Sequence, residues 1–138
     1  NVIMNEIHNT IRCTCEKIYD QLGSAHNECV YQKALMIELI HLGAISVEIE
    51  KHVPVFFVDS RNIKHTIGSE RIDLYARFPT ETILLELKAT TGCMKKAEHN
   101  QIIKYKEALH MLNEIVTIMI LVNFVKHGNK IEFEIITD

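Results

Sequence analysis

The sequence predicts an α/β fold whose elements run helix, helix, three strands, helix, two strands. Three observations predict it. Ile3, Ile7, Ile11, Ile18 and Leu22 recur at steps of four and seven, which is one stripe of an amphipathic helix. Beyond Gly43 the apolar period changes from helical to extended. Near the C-terminus an aliphatic run follows a segment of helical spacing, as expected of a buried strand reached by a helical crossover.

The first helix is expected from Val2 to Leu22, where Gly23-Ser24-Ala25 breaks it. The second runs from about Asn27, a candidate cap, to Leu42, with Gly43 as its stop signal. Its stripe is Tyr31, Leu35, Leu39 and Leu42, and Glu28 lies one turn before Tyr31. Val47, Ile49, Val53 and Val55 to Val58 then read as a strand broken at Pro54, which predicts an edge position or a bulge. Asp59-Ser60-Arg61-Asn62 makes a turn, and Ile63 to Arg77 returns as an antiparallel partner. A short turn at 79–82 leads to the third strand, Ile83 to Ala89, completing a meander. Lys96 to about Asn113 has helical spacing through Ile102, Tyr105, Leu109 and Leu112. Ile115 to Phe124 is the crossover strand, and a Gly128-Asn129 turn precedes a last strand from Ile131 to Ile136.

A length of 138 residues predicts one domain over 1–138, and 47% hydrophobic with 24% charged residues is a globular composition rather than a disordered one. The net charge of −3 gives no general attraction to nucleic acid, so any such binding needs a local basic surface. Residues 88–106 supply one: Lys88, Lys95, Lys96, Lys104 and Lys106 stand against the single acid Glu98. No secretory signal and no bilayer-length apolar run is visible, which reads as a soluble intracellular protein with reduced thiols and no membrane partner. Cys13 and Cys15 form a CxC pair without a second pair, so buried thiols are expected there rather than zinc.

Charge inside the third strand carries the chemistry. Ile83-Leu84-Leu85-Glu86-Leu87-Lys88 places Glu86 and Lys88 on one face of an aliphatic strand, and thirteen positions upstream Asp73 interrupts the preceding one. An exposed strand face would explain Glu86 and Lys88 by themselves; the flanking aliphatics and Asp73 argue against it. Asp73 and Glu86 meet the need of magnesium for one or two protein carboxylates, with Mn²⁺ as a substitute and the Leu87 carbonyl as a further metal ligand. Lys88 is then placed to orient a nucleophile and offset transition-state charge. Glu28 is a third candidate carboxylate, although a helix start favours an acid there in any case. Gln101 and Tyr105, four apart on one helix face, are expected to line the same cleft and bind substrate with Lys95, Lys96 and Lys104.

Asp73 followed by Glu86-x-Lys88 on the next strand resembles the D…(D/E)xK motif of the PD-(D/E)XK nuclease superfamily. Gly23-x-Ala25-x-x-Glu28-x-x-Tyr31-x-x-Ala34-Leu35, Arg71-x-Asp73-Leu74, Glu86-Leu87-Lys88-Ala89, Gln101-x-x-x-Tyr105 and Asn123-Phe124 resemble its GxxExxY family from Leu22 onward. Ala25 departs from that signature by replacing a glycine, and Ser24 stands where a proline is common. The resemblance implies a restriction-endonuclease-like α-βββ-α-β core with an extra N-terminal helix and a C-terminal strand. It also implies a magnesium-dependent nuclease acting on DNA or RNA, DNA being the expected partner. The alternative is a catalytically inactive nuclease-fold module that binds nucleic acid or a protein. The N-terminal helix is then either a cap on the core or the surface of a homodimer.

Overall fold

The computed structural model describes residues 2–137, with side chains described from Ile7 onward; that of Ile3, in the first helical stripe, lies outside them. The elements follow the expected order: α1 (Val2–Leu22), α2 (Glu28–His41), β1 (Ser46–Val58), β2 (Lys64–Arg77), β3 (Thr82–Lys88), α3 (Lys96–Met111), β4 (Ile118–Asn123) and β5 (Glu132–Ile136). The strands form one sheet in the order β1-β2-β3-β4-β5. Its first three strands are an antiparallel meander, β4 joins β3 in parallel after the α3 crossover, and β5 pairs antiparallel with β4.

Apolar residues on both faces of the central strands give the sheet two cores. Ile11, Tyr31, Leu35 and Leu39 of α1 and α2 pack on Leu74, Leu85, Leu87 and Val122. Ile102, Tyr105 and Leu109 of α3 pack on the other side with Leu84, Met119 and Leu121. Strands buried on both faces carry continuous apolar runs, which is why β3 and β4 read as they do. Pro54 sits in the edge strand β1, and the register shifts at Val55/Phe56 just beyond it.

Two local expectations change. Asn27 has the extended backbone of a cap residue but its side chain does not cap α2; its Oδ1 instead accepts from Lys126 Nζ at 3.2 Å, tying the helix start to the segment after β4. Of the four cysteines only Cys15 is buried, its thiol pushed up to about 12 by burial; Cys13, Cys29 and Cys93 are exposed. Cys13 points away from the stripe that buries Cys15, as positions two apart on a helix must.

The end of the sheet that matters for chemistry is held by an aromatic stack. The Tyr31 ring lies flat on Phe124, with centroids 4.4 Å apart. The Tyr31 hydroxyl donates to the Gly23 carbonyl at 2.6 Å, and the Tyr19 hydroxyl donates to that of Val125 at 2.6 Å. Gly23 ends α1 at φ 85, a left-handed turn that favours glycine. The start of α2, the end of α1 and the exit of β4 are therefore fixed to one another by two hydroxyls and one stack. Tyr31→Phe keeps the stack and loses the hydroxyl, so it should cost about 1 kcal/mol. Phe124→Ala removes the stack and leaves a cavity, for about 3–5 kcal/mol. Urea denaturation measures both; unchanged stability of Tyr31→Phe would show that the hydroxyl bond adds nothing.

Candidate active site

The buried polar side chains among the described residues are Gln32, Glu86 and Asn123, and all three serve the same end of the sheet. Glu86 is 6% exposed, so the face of β3 that carries it is not a solvated one. It lies opposite Asp73, and there the β2–β3 ladder stops, the last pair being Leu74 with Leu85. Side chains take over from backbone: Asp73 N–H donates to Glu86 Oε1 at 3.0 Å, and Leu87 N–H donates to Asp73 Oδ2 at 2.7 Å. Each carboxylate thus accepts from the other strand, and no described residue donates to the second oxygen of either.

The pair holds on to protons. Burial, chiefly, pushes the Asp73 carboxyl up against the pull of the Leu87 N–H bond. Burial and then the charge of Asp73 push Glu86 up as well. Glu28, in the first turn of α2, is half-buried; burial raises its carboxyl, with Lys88 acting the other way and Glu50 in the same direction. Lys88 is the cation near all three acids, favouring the charged forms of Glu28, Asp73 and Glu86. With Glu50 there are four acids against this one lysine, which leaves the site short of positive charge.

A cavity of about 390 Å³ opens over Asp73 and Leu87, lined also by Glu28, Gln32 and Glu50; neither Glu86, bonded to Asp73 N–H, nor Lys88 lines it. Gln101 and Tyr105 line a different cavity, between α3 and the β1–β2 hairpin, together with Lys104 and Glu70. The structure therefore brings together Glu28, Asp73, Glu86, Leu87 and Lys88 and sets Gln101 apart. Tyr105 lies between the two groups: its hydroxyl is raised by burial first and then by the charges of Glu86, Glu70 and Asp73. Lys95 and Lys96 are exposed at the start of α3, where Lys95 N–H donates to Glu98 Oε2 at 2.6 Å. Lys104 is exposed on the same helix, 3.6 Å from Glu107.

Three residues of the site carried no role in the sequence. Gln32 Nε2 donates to the Asp73 carbonyl at 2.8 Å; its one signal was its place four residues after Glu28 on the same helix face. Glu50 lines the cavity from β1 in a left-handed conformation, φ 54, which no sequence pattern announces. Asn123, opposite Lys88 in the β3–β4 register, ties down the segment after β3. Its Oδ1 accepts from Thr90 N–H at 3.1 Å, and its Nδ2 donates to the Gly92 carbonyl at 3.0 Å and Glu132 Oε1 at 2.8 Å.

A hard divalent cation fits the donor set. No group of three or more His, Cys, Asp or Glu among the described residues is arranged to hold an ion by itself. A cation that keeps several waters needs only one or two carboxylates. Asp73 and Glu86 offer two, each with an oxygen to spare and each destabilised as an anion where it sits.

The raised carboxyls set a pH dependence. Unfolded carboxyls titrate near about 4, whereas Asp73 and Glu86 release their protons above the usual range in the fold. Between those values the native chain binds more protons than the unfolded one, so this contribution to stability is present below about pH 4 and is lost as pH rises through the folded values. Glu86→Gln keeps the acceptor for Asp73 N–H and removes the charge. It should be more stable than the parent at pH 8, with the difference shrinking toward pH 5, as urea unfolding of the metal-free proteins would read. Parallel pH–stability curves would rule this account out.

A family model of the PD-(D/E)XK nuclease superfamily matches residues 5–135. A search of curated proteins finds no match. Among solved structures, the chain is similar to a crystal structure of SSO0001 with a TM-score of 0.46 and 18% identity, over 80% of this chain. The chain spans 50% of the length of that protein's chain. Nucleases of the matched superfamily generally use divalent metal ions and bind nucleic acid. With its sheet topology and a family match over nearly its whole length, the chain belongs to the PD-(D/E)XK nuclease superfamily.

Proposed function

We propose that this chain is a magnesium-dependent nuclease of the GxxExxY type that hydrolyses phosphodiester bonds of DNA or RNA. The observation that carries the reading is that Asp73, which lines an open cavity, and Glu86 each accept a backbone N–H from the other's strand. Two buried carboxylates side by side cost several kcal/mol in desolvation and repulsion, a cost that a bound divalent cation offsets. Such a cation supplies neutralisation of the phosphate and of the charge that develops on it.

The chain's own residues divide the remaining work. Asp73 and Glu86 would hold the cation, with the Leu87 carbonyl as a further ligand. Lys88 lies near both acids and donates toward the scissile phosphate, orienting the attacking water. Glu28, raised by burial, accepts a proton at the mouth of the cavity. Tyr105 keeps its hydroxyl proton in this acidic setting and serves as a donor to phosphate. Lys95, Lys96, Lys104 and Gln101 extend the contact along α3. No helix among the described residues is long and apolar enough to cross a membrane.

The test incubates the purified protein with single-stranded, duplex and branched DNA and with RNA, in Mg²⁺, Mn²⁺ or chelator. Cleavage should require the metal, fall to background in Asp73→Ala and drop about 10²–10³-fold in Lys88→Ala. Binding without cleavage that survives Asp73→Ala would replace the enzyme by the inactive binding module.

A further inference from the structure

Asp73 is paired on neither side. The β1–β2 register passes through Ile49–Leu74 and Lys51–Ile72 and skips Glu50 and Asp73, and the β2–β3 register ends at Leu74–Leu85. A residue inside a sheet must still satisfy its N–H and C=O. Glu86 takes the first at 3.0 Å and Gln32, 8% exposed, takes the second at 2.8 Å.

Glu50, directly across from Asp73, is the only non-glycine residue with positive φ inside a strand or helix among the described residues. The same amide of Gln32 reaches its Oε2 at 3.5 Å. At this point both strands exchange faces. Val47 packs with the α1–α2 core whereas Val53, of equal parity, packs with α3; Leu74 and Ile72 divide in the same way. Regular strands keep such positions on one face. One left-handed residue on β1 and one unpaired residue on β2 turn the hairpin over together.

We infer that Gln32 and Glu50 are positioning residues for Asp73. Glu50 holds β1 in the turn that releases Asp73 from its ladder, and Gln32 binds the released carbonyl. Together they aim the Asp73 carboxylate at the Leu87 N–H and into the cavity. On this account the backbone of residue 50 matters and its carboxylate does not, which separates positioning from ligand contact. The inference rests on Asp73 being the site's carboxylate.

The test compares Glu50→Gly with Glu50→Val. Both remove the carboxylate; glycine adopts φ 54 freely, and a β-branched residue there is a steric outlier. The reporter is the Leu87 amide, bonded to Asp73 Oδ2 at 2.7 Å, followed by hydrogen exchange in the metal-free protein, with Ile120 in β4 as the control for global opening. Leu87 exchange should rise about tenfold or more relative to Ile120 in Glu50→Val and in Gln32→Leu, and stay within about threefold in Glu50→Gly. Equal behaviour of the two Glu50 variants, or an unmoved Leu87 in Gln32→Leu, overturns the inference. Gln32→Leu adds no backbone strain, so it decides the question even where Glu50→Val does not fold. Mn²⁺ calorimetry on the unsubstituted chain is separate: absent binding sinks the nuclease reading, while the exchange result still decides the positioning.

Discussion

A carboxylate on each of two neighbouring strands takes the backbone N–H of the other, Glu86 from Asp73 and Asp73 from Leu87, and the surrounding structure is arranged to permit it. Inside a sheet the ladder ordinarily claims those N–H groups, so the ladder has to end where the carboxylates begin. It ends at Leu74–Leu85, while β3 continues against β4 through Lys88–Asn123. The parallel pairing keeps β3 rigid at the place where its antiparallel partner lets go. A buried acid pair is costly, and rigid support on one side keeps the strands from relaxing away from it.

Support comes from three directions. The Tyr31 stack on Phe124 and the two tyrosine hydroxyls fix the start of α2 over the end of β4, which sets the depth at which Glu28 and Gln32 enter. Asn123 anchors the segment after β3 through both ends of its amide, so Lys88 is followed by a held loop rather than a free one. On the opposite face Tyr105 brings an apolar ring and a retained proton toward the acids. The dryness that raises the carboxyls also strengthens every charge interaction between them and Lys88.

Most of the fold was legible because the sequence alternates between the two periodicities without ambiguity. Helical stripes, a Pro54 at an edge, and aliphatic runs long enough for buried strands each have one reading. The adjacency of the two acids was legible too, since Glu86 and Asp73 interrupt runs that would otherwise be wholly apolar. What stayed hidden was the exchange of faces. Val47, Ile49, Val53 and Val55 keep one parity, as do Ile72 and Leu74, and apolar residues on both sides of the switch erase its trace. Gln32 was hidden for a related reason: its partner is a backbone carbonyl, which has no identity in a sequence. The expectation of one cleft for Gln101 with the acids came from the helix face it shares with Tyr105; the hairpin turned over at Glu50 gives that face a cavity of its own.

Beyond the switch, β1 and β2 run on as a ribbon to a tip pinned by Asp59, which accepts from the N–H groups of Arg61 and Ile63 and bonds the His65 ring. Loss of one residue between Glu50 and Val53 would carry Val53 off the α3 core and the later side chains of β1 with it. Extra residues are harmless only when they enter at the tip in cross-strand couples, where neither alternation is broken. The ribbon is thereby free in length and locked in phase, a reach that can be tuned without disturbing the acids at its root.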